Sequence, residues 1–241
     1  MASKPHNDDT YRPKREPKTP IKFHIQLNPE QKEAKQKILD NTVTLLAGQA
    51  GSGKTLVACN VALDGLFRRQ YDKIIITRPT VSKEDIGFLP GDMREKMDPW
   101  VQPIYQNFYT LYGKERMEKY FENGQIELVP VSFMRGRTFM DSIIIVDEAQ
   151  NVTHEQMEMI VSRIGLRSKM IICGDGNQID LRKRSDSGFK FLYKASRKVK
   201  NLEGITLKTN HRDPIVGDII EYYEEELNHI ASSSFSVSSK K

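Results

Sequence analysis

The residues from Leu45 to Leu56 read LLAGQAGSGKTL, which fits G-x-x-x-x-G-K-[ST] at Gly48, Gly53, Lys54 and Thr55. The chemistry this pattern serves is the holding of a triphosphate. Charge spread over many oxygens is best met by several backbone N–H groups converging at short range, and side chains on the loop would block that approach. Gly48, Gln49, Ala50, Gly51, Ser52 and Gly53 are therefore expected to cradle phosphates at the start of a helix, whose unpaired amides and dipole favour an anion. Lys54 would reach the β and γ phosphates, and the Thr55 hydroxyl would ligate Mg²⁺.

A second stretch, DSIIIVDEAQN from Asp141 to Asn151, ends a β-branched apolar run in two adjacent carboxylates. That places Asp147 at the carboxyl edge of a strand, where a phosphate-loop enzyme orients its magnesium. Glu148 points differently and can polarise the water that attacks the γ-phosphate. A third stretch, MIICGDGNQID, carries Asp175 and Gln178 just past another apolar run. On its own this is a turn of Asp, Gly and Asn. Beside the first two motifs it suits a sensor of the γ-phosphate.

These groups need a scaffold that delivers several strand ends to one place. Thr42 to Leu46 predicts the strand before the loop, and LVACNVALDGLF a buried helix after it. KIIIT (Lys73 to Thr77), Ile126 to Val131, the IIIV run, Met170 to Cys173 and Gly204 to Lys208 predict further strands. Continuous apolar strands of this kind belong to parallel sheets covered on both faces. Residues 92 to 122 predict two helices separated near Tyr112-Gly113, their Met, Tyr, Phe and Trp100 side chains serving as core. Asn28-Pro29-Glu30-Gln31 and Thr153-His154-Glu155-Gln156 predict capping boxes opening helices. Gln31 has a competing role, because an amide offers a donor and an acceptor together and could read an adenine edge. A last helix is expected after Pro214, running to about Leu227. The fold class is α/β: one domain, a mainly parallel sheet, helices on both faces.

The 241 residues suffice for one such core and not for two large nucleotide-binding lobes. A net charge of +5 points to a polyanionic partner, RNA or single-stranded DNA, or simply to solubility. Candidate contacts are Thr77, Arg78 and Thr80 at a strand exit, and Arg135 and Arg137, which bracket Gly136. Each could equally be an ordinary surface group. Residues 182 to 200 hold Arg182, Lys183, Arg184, Lys190, Lys194, Arg197, Lys198 and Lys200, the densest positive run. Residues 1 to 24 form a basic, proline-rich arm expected not to pack, and residues 230 to 241 a serine-rich disordered tail. Val81 to Asp92 sets Ile86, Phe88 and Leu89 on a loop that packs on a partner or on its own core. Cys59 and Cys173 lie in apolar segments and suggest neither a disulfide framework nor a metal site. No apolar stretch approaches the ~18 residues of a membrane span, so a soluble cytoplasmic protein is expected.

With these residues in view, the chain resembles the PhoH family of phosphate-loop ATPases, single-lobed relatives of superfamily one helicases. The resemblance runs from Ile25 to Asn228. It rests on Gly48 to Thr55, Thr77-Arg78-Pro79, Ile86 to Asp92, Arg135 to Thr138, Val146 to Asn151, Gly174-Asp175 with Gln178, and Arg212. It implies a RecA-like P-loop NTPase domain, ATP and Mg²⁺ as cofactors, ATP hydrolysis, Gln31 as an adenine contact and Arg212 as an arginine finger.

A single lobe cannot close ATP against a second one, so Arg212 must act within its own subunit or be donated by a neighbour. Donation around a closed ring suits a heterologous interface and predicts a homo-oligomer, a hexamer. The chain is then an ATPase motor or remodeller on nucleic acid, such as an RNA helicase. A nucleotide-gated RNA-binding protein with slow ATPase is the alternative. A small-molecule phosphotransferase is disfavoured, because a base that activates water would waste ATP.

Overall fold

A computed structural model describes residues 22–79, 93–219, 222–223 and 226 of the chain. Residues 1–21 of the expected arm, the tail, Thr80 and the loop from Val81 to Asp92 lie outside them, as do the side chain of Trp100 and the end of the last helix.

Strand β1 (Val43–Gly48) leads through the phosphate loop into helix α2 (Lys54–Phe67), with α1 (Pro29–Asp40) before it. Then come β2 (Lys73–Thr77), α3 (Met93–Tyr112), α4 (Lys114–Glu122), β3 (Ile126–Leu128) and β4 (Ser142–Val146). Helix α5 (His154–Val161), β5 (Lys169–Gly174), α6 (Gly188–Ala195) and β6 (Leu202–Leu207) follow, with helical backbone again at 214–219.

The six strands form one sheet in the order β3-β2-β4-β5-β1-β6. Every neighbouring pair is parallel. The apolar strands read as they do because both faces are covered. Ile74, Ile76, Ile143, Ile145 and Ile171 face the layer of α1, α2, α3 and α4. Ile75, Ile144, Val146, Met170 and Ile172 face the layer of α5 and α6. One residue of register slip would exchange these two sets and ruin both layers.

The expected α/β class, with helices on both faces, is the one observed. Both capping boxes form, Asn28 with Gln31 and Thr153 with Gln156. Helices α3 and α4 part at Gly113, whose φ of 84° ends the first of them. The strand expected from Ile126 to Val131 stops at Leu128, because Pro130 cannot donate to the ladder. Packing begins inside the stretch of residues 1 to 24 expected not to pack: Phe23 stacks 6.4 Å from Phe67, and the His24 N–H donates to the Leu111 carbonyl.

Strand order decides what meets what. β5 lies between the loop-bearing β1 and the carboxylate-bearing β4, so the turn after Gly174 falls between the loop and Asp147. Ligands of open α/β sheets bind at such carboxyl ends.

Candidate nucleotide site

The loop between β1 and α2 is glycine-dependent at two points. Gly51 has φ of 88° and a Cβ there would meet Asn210 Oδ1 at 2.6 Å. Gly53 has φ of 82°, and a Cβ would lie 2.5 Å from Gln31 Nε2. Any side chain would strain the backbone and collide. Lys54 Nζ donates to the carbonyls of Gly48 and Gln49, both at 2.8 Å, so it is folded over the loop that it would leave to meet a phosphate.

A cavity of about 550 Å³ opens above the loop. Ala50, Gly51, Gly53, Lys54 and Thr55 form its floor, and Asp147, Glu148, Gln31, His211 and Arg212 its walls. Thr55 Oγ1 donates to Asp147 Oδ1 at 2.8 Å, joining the two motifs that the chain separates by 92 positions. Asp147 is 5% exposed. Burial, and next the charge of Glu148, raise its carboxyl above the ordinary range, while Arg78 and the Thr55 bond pull it down.

A buried carboxylate beside a hydroxyl, on the wall of a polar cavity, is a hard oxygen donor set that fits magnesium. Ser52 Oγ is also buried, with no hydrogen-bond partner among the described residues, so the loop holds a polar atom that phosphate could satisfy. No group of three or more His, Cys, Asp or Glu among the described residues would cage an ion. Magnesium asks for none, since it keeps waters and relies on one or two carboxylates plus substrate phosphates.

Glu148 stands at φ 49°, ψ 38°, a left-handed conformation that costs a non-glycine residue on the order of 1 kcal/mol. Both its oxygens are engaged. Arg78 Nη2 donates to Oε1 at 3.4 Å, and Gln150 Nε2 donates to Oε2 at 2.7 Å. The Gln150 carbonyl in turn accepts from the Asp175 N–H at 3.0 Å, and Asp175 Oδ2 accepts from the Ala50 N–H at 3.1 Å. A continuous chain of bonds therefore runs from the end of β2 to the phosphate loop.

The other expected site residues are placed as follows. Gln31 closes its helix cap, donates toward His211 Nε2 at 3.3 Å and lines the cavity; it is 3% exposed. Arg212 lines the cavity of its own chain, its Cγ lying 2.8 Å from a Cβ placed on Gly51. Asp175 touches the loop, whereas Gln178 lines a neighbouring cleft of about 440 Å³ with Arg78, Asn177 and Arg184. Thr77 is buried, its hydroxyl unpartnered among the described residues. Arg135 is exposed, and Arg137 is held by Glu127 at 2.8 Å and stacked on Phe139; neither lines the cavity above the loop or the neighbouring cleft.

Gln150, His211 and Asn210 carried no distinguishing signal in the sequence. Their roles come from the fold: β6 delivers the segment after Leu207 to the loop, where the His211 N–H donates to Gly51 O at 3.0 Å. The available hint was the place of His211 beside Arg212 just past the last strand, a pair of which only the arginine had an assigned role.

No helix among the described residues is long and apolar enough to cross a membrane. Residues 25–224 match the family model described as PhoH-like protein. The PhoH-like protein of Bacillus subtilis (strain 168) is 43% identical over 192 residues, covering 77% of this chain and 59% of its own. That of Synechocystis sp. (strain ATCC 27184 / PCC 6803 / Kazusa) is 39% identical over 204 residues, covering 82% and 61%. The chain thus spans about three fifths of the length of these relatives. Among solved structures, Pif1 helicase from Candida albicans aligns with a TM-score of 0.43 and 17% identity, over 82% of this chain and 43% of that one. With the phosphate loop, the paired carboxylates and the match over 25–224 in hand, the chain belongs to the PhoH-like protein family.

Proposed function

We propose that this protein is a magnesium-dependent ATPase that couples hydrolysis to a bound strand of RNA or single-stranded DNA in the cytoplasm, as a helicase or remodeller. The observation that carries it is the 2.8 Å bond between Thr55 and Asp147 beneath the cavity. Magnesium held there would neutralise the charge that develops on the β and γ phosphates.

The chain's own groups supply the rest. Loop amides and Lys54 bind the phosphates. Glu148 orients a water and takes its proton as the water oxygen bonds to the γ-phosphorus. The bond from the γ-phosphorus to the bridging oxygen breaks, and ADP leaves with inorganic phosphate. Arg212, already in its own chain's cavity, would stabilise the transferring group, an effect of about 10³ to 10⁵ in rate where such arginines have been measured. Gln31 is assigned to the base and the cleft of Gln178 to sensing of the bound strand or phosphate.

The exposed basic residues from Arg182 to Lys200 support a polyanionic partner, and Arg135 offers a further contact. A homo-oligomeric ring, a hexamer, draws support from the exposed Ile215, Ile219, Tyr222 and Tyr223. Mixing Glu148→Ala with Arg212→Ala subunits tests it: recovered turnover means shared sites, and no recovery leaves Arg212 acting within its own subunit.

ATP turnover measured with and without single-stranded RNA and DNA decides the main reading, with Glu148→Gln and Lys54→Ala as controls. Turnover stimulated by strand and lost in both variants is expected. A second reading, a nucleotide-gated binding protein, is favoured by the double engagement of Glu148. Slow turnover indifferent to strand, with nucleotide-dependent binding or assembly, would select it.

A further inference from the structure

The cleft beside the nucleotide cavity shares Glu148 with it and is otherwise separate. Its wall carries two guanidiniums, Arg78 and Arg184, and the amides of Asn151, Asn177 and Gln178. Guanidiniums suit phosphate oxygens, and side-chain amides suit the mixed donors and acceptors of base edges. Arg184 and Gln178 are exposed, and the basic run continues from Arg184 to the exposed Lys190 beside Gly176. Asp180, the other acid on the wall, is engaged by Asn151 on both sides, through its carboxylate at 3.0 Å and its N–H at 2.8 Å.

Within this cleft Arg78 and Glu148 form an ion pair, with side chains 17% and 41% exposed. The guanidinium on Oε1 occupies an acceptor site that a water could use, while Gln150 fixes the direction of the carboxylate through Oε2. Two further observations place backbone strain and an unmet hydrogen bond beside this ion pair. Glu148 is held in left-handed backbone, and the Thr77 hydroxyl, one residue before Arg78, is buried with no partner among the described residues.

We propose that a phosphate of a single-stranded nucleic acid docks in this cleft and draws Arg78 away from Glu148, so that strand binding releases the carboxylate that activates water. This rests on the ATPase reading and adds to it where the strand sits and how it is sensed. The competition is electrostatic: two oxygens of a phosphate offer Arg78 a bidentate, charge-assisted partner in place of the 3.4 Å contact to Glu148. The signal has a path to the loop through Gln150, Asp175 and Ala50.

The test is ATP turnover of the full chain titrated with a twenty-residue single-stranded RNA or DNA, for wild type, Arg78→Gln and Arg184→Ala. Arg78→Gln is expected to raise turnover without strand several-fold and to bring strand stimulation close to onefold. Arg184→Ala is expected to raise the strand concentration for half-stimulation. Fluorescence anisotropy with labelled strand, without nucleotide, reads the cleft independently of turnover. Each arginine removed should lower the slope of log affinity against log salt by about 0.7 for a lost phosphate contact. If Arg78→Gln loses basal and stimulated turnover in equal proportion, or keeps the wild-type stimulation factor, the switch is overturned. If neither variant weakens strand binding, the cleft is not the docking site. A wild type with no ATP turnover would instead remove the underlying ATPase reading, a result distinct from both.

Discussion

The side-chain amide of Gln150 donates to Glu148 Oε2 at 2.7 Å while its carbonyl accepts from the Asp175 backbone at 3.0 Å. One buried side chain thus sets the distance between the carboxylate assigned to water and the turn that touches the phosphate loop. Gln150 is 2% exposed, so neither bond can be replaced by bulk solvent.

Gln150→Ala should therefore cost both stability and rate. An orphaned Asp175 N–H costs about 1–3 kcal/mol, and a misplaced Glu148 roughly 10²-fold in kcat. KM for ATP should move little, because Gln150 touches neither the loop nor Lys54. Thermal unfolding and steady-state kinetics check this; an unchanged kcat would mean that the bridge positions nothing.

Asp147→Asn should separate stability from function. The carboxylate is buried and its ionised form is disfavoured, chiefly by desolvation. An amide of the same shape can keep the Thr55 contact without the charge. Without nucleotide the variant should be more stable by about 1 kcal/mol, or ~2–4 °C in Tm for a chain of this size. The extra stabilisation that wild type gains from MgATP should disappear. A lower Tm than wild type without ligand would show that the charge is already well compensated.

Gly53→Ala places a methyl 2.5 Å from Gln31 Nε2 at a φ of 82°. Strain and collision together should destabilise by about 1–3 kcal/mol. Displacing Gln31 should also weaken ATP binding, read by calorimetry. Pairing the change with Gln31→Ala removes the collision and leaves the strain, so partial recovery of stability is expected in the double variant.

Lys169 gives a pH signature away from the site. Its ammonium donates to the carbonyls of Ile38, Leu39 and Asn41 at the end of α1, and burial lowers its pKa from 10.5 to about 8. Between those values the unfolded chain binds more protons than the folded one, so stability rises with pH across that window. Denaturation of wild type and Lys169→Met should show a difference that moves in favour of wild type as pH climbs from about 8 toward 10.5. A difference independent of pH would mean that the three carbonyls hold the charge at its ordinary pKa.

Much of this molecule was legible in the chain. Glycines at 48, 51 and 53 before Lys54-Thr55, and IIIV before Asp147-Glu148, are local patterns whose geometry follows from strand, turn and helix. Continuous β-branched runs announced strands buried on both faces, and capping boxes at Asn28 and Thr153 set where two helices begin. Those features depend on backbone sterics and nearest neighbours, which sequence carries directly.

What sequence could not decide was which strand ends become neighbours. Placing β5 between β1 and β4 brings Asp175 to the loop and puts Gln178 in the next cleft. β6 carries His211 and Arg212 to Gly51, and the end of β2 turns Arg78 onto Glu148. Each of these contacts joins residues far apart in the chain, and its existence depends on strand order, because only the packing of whole layers decides which distant side chains share one edge.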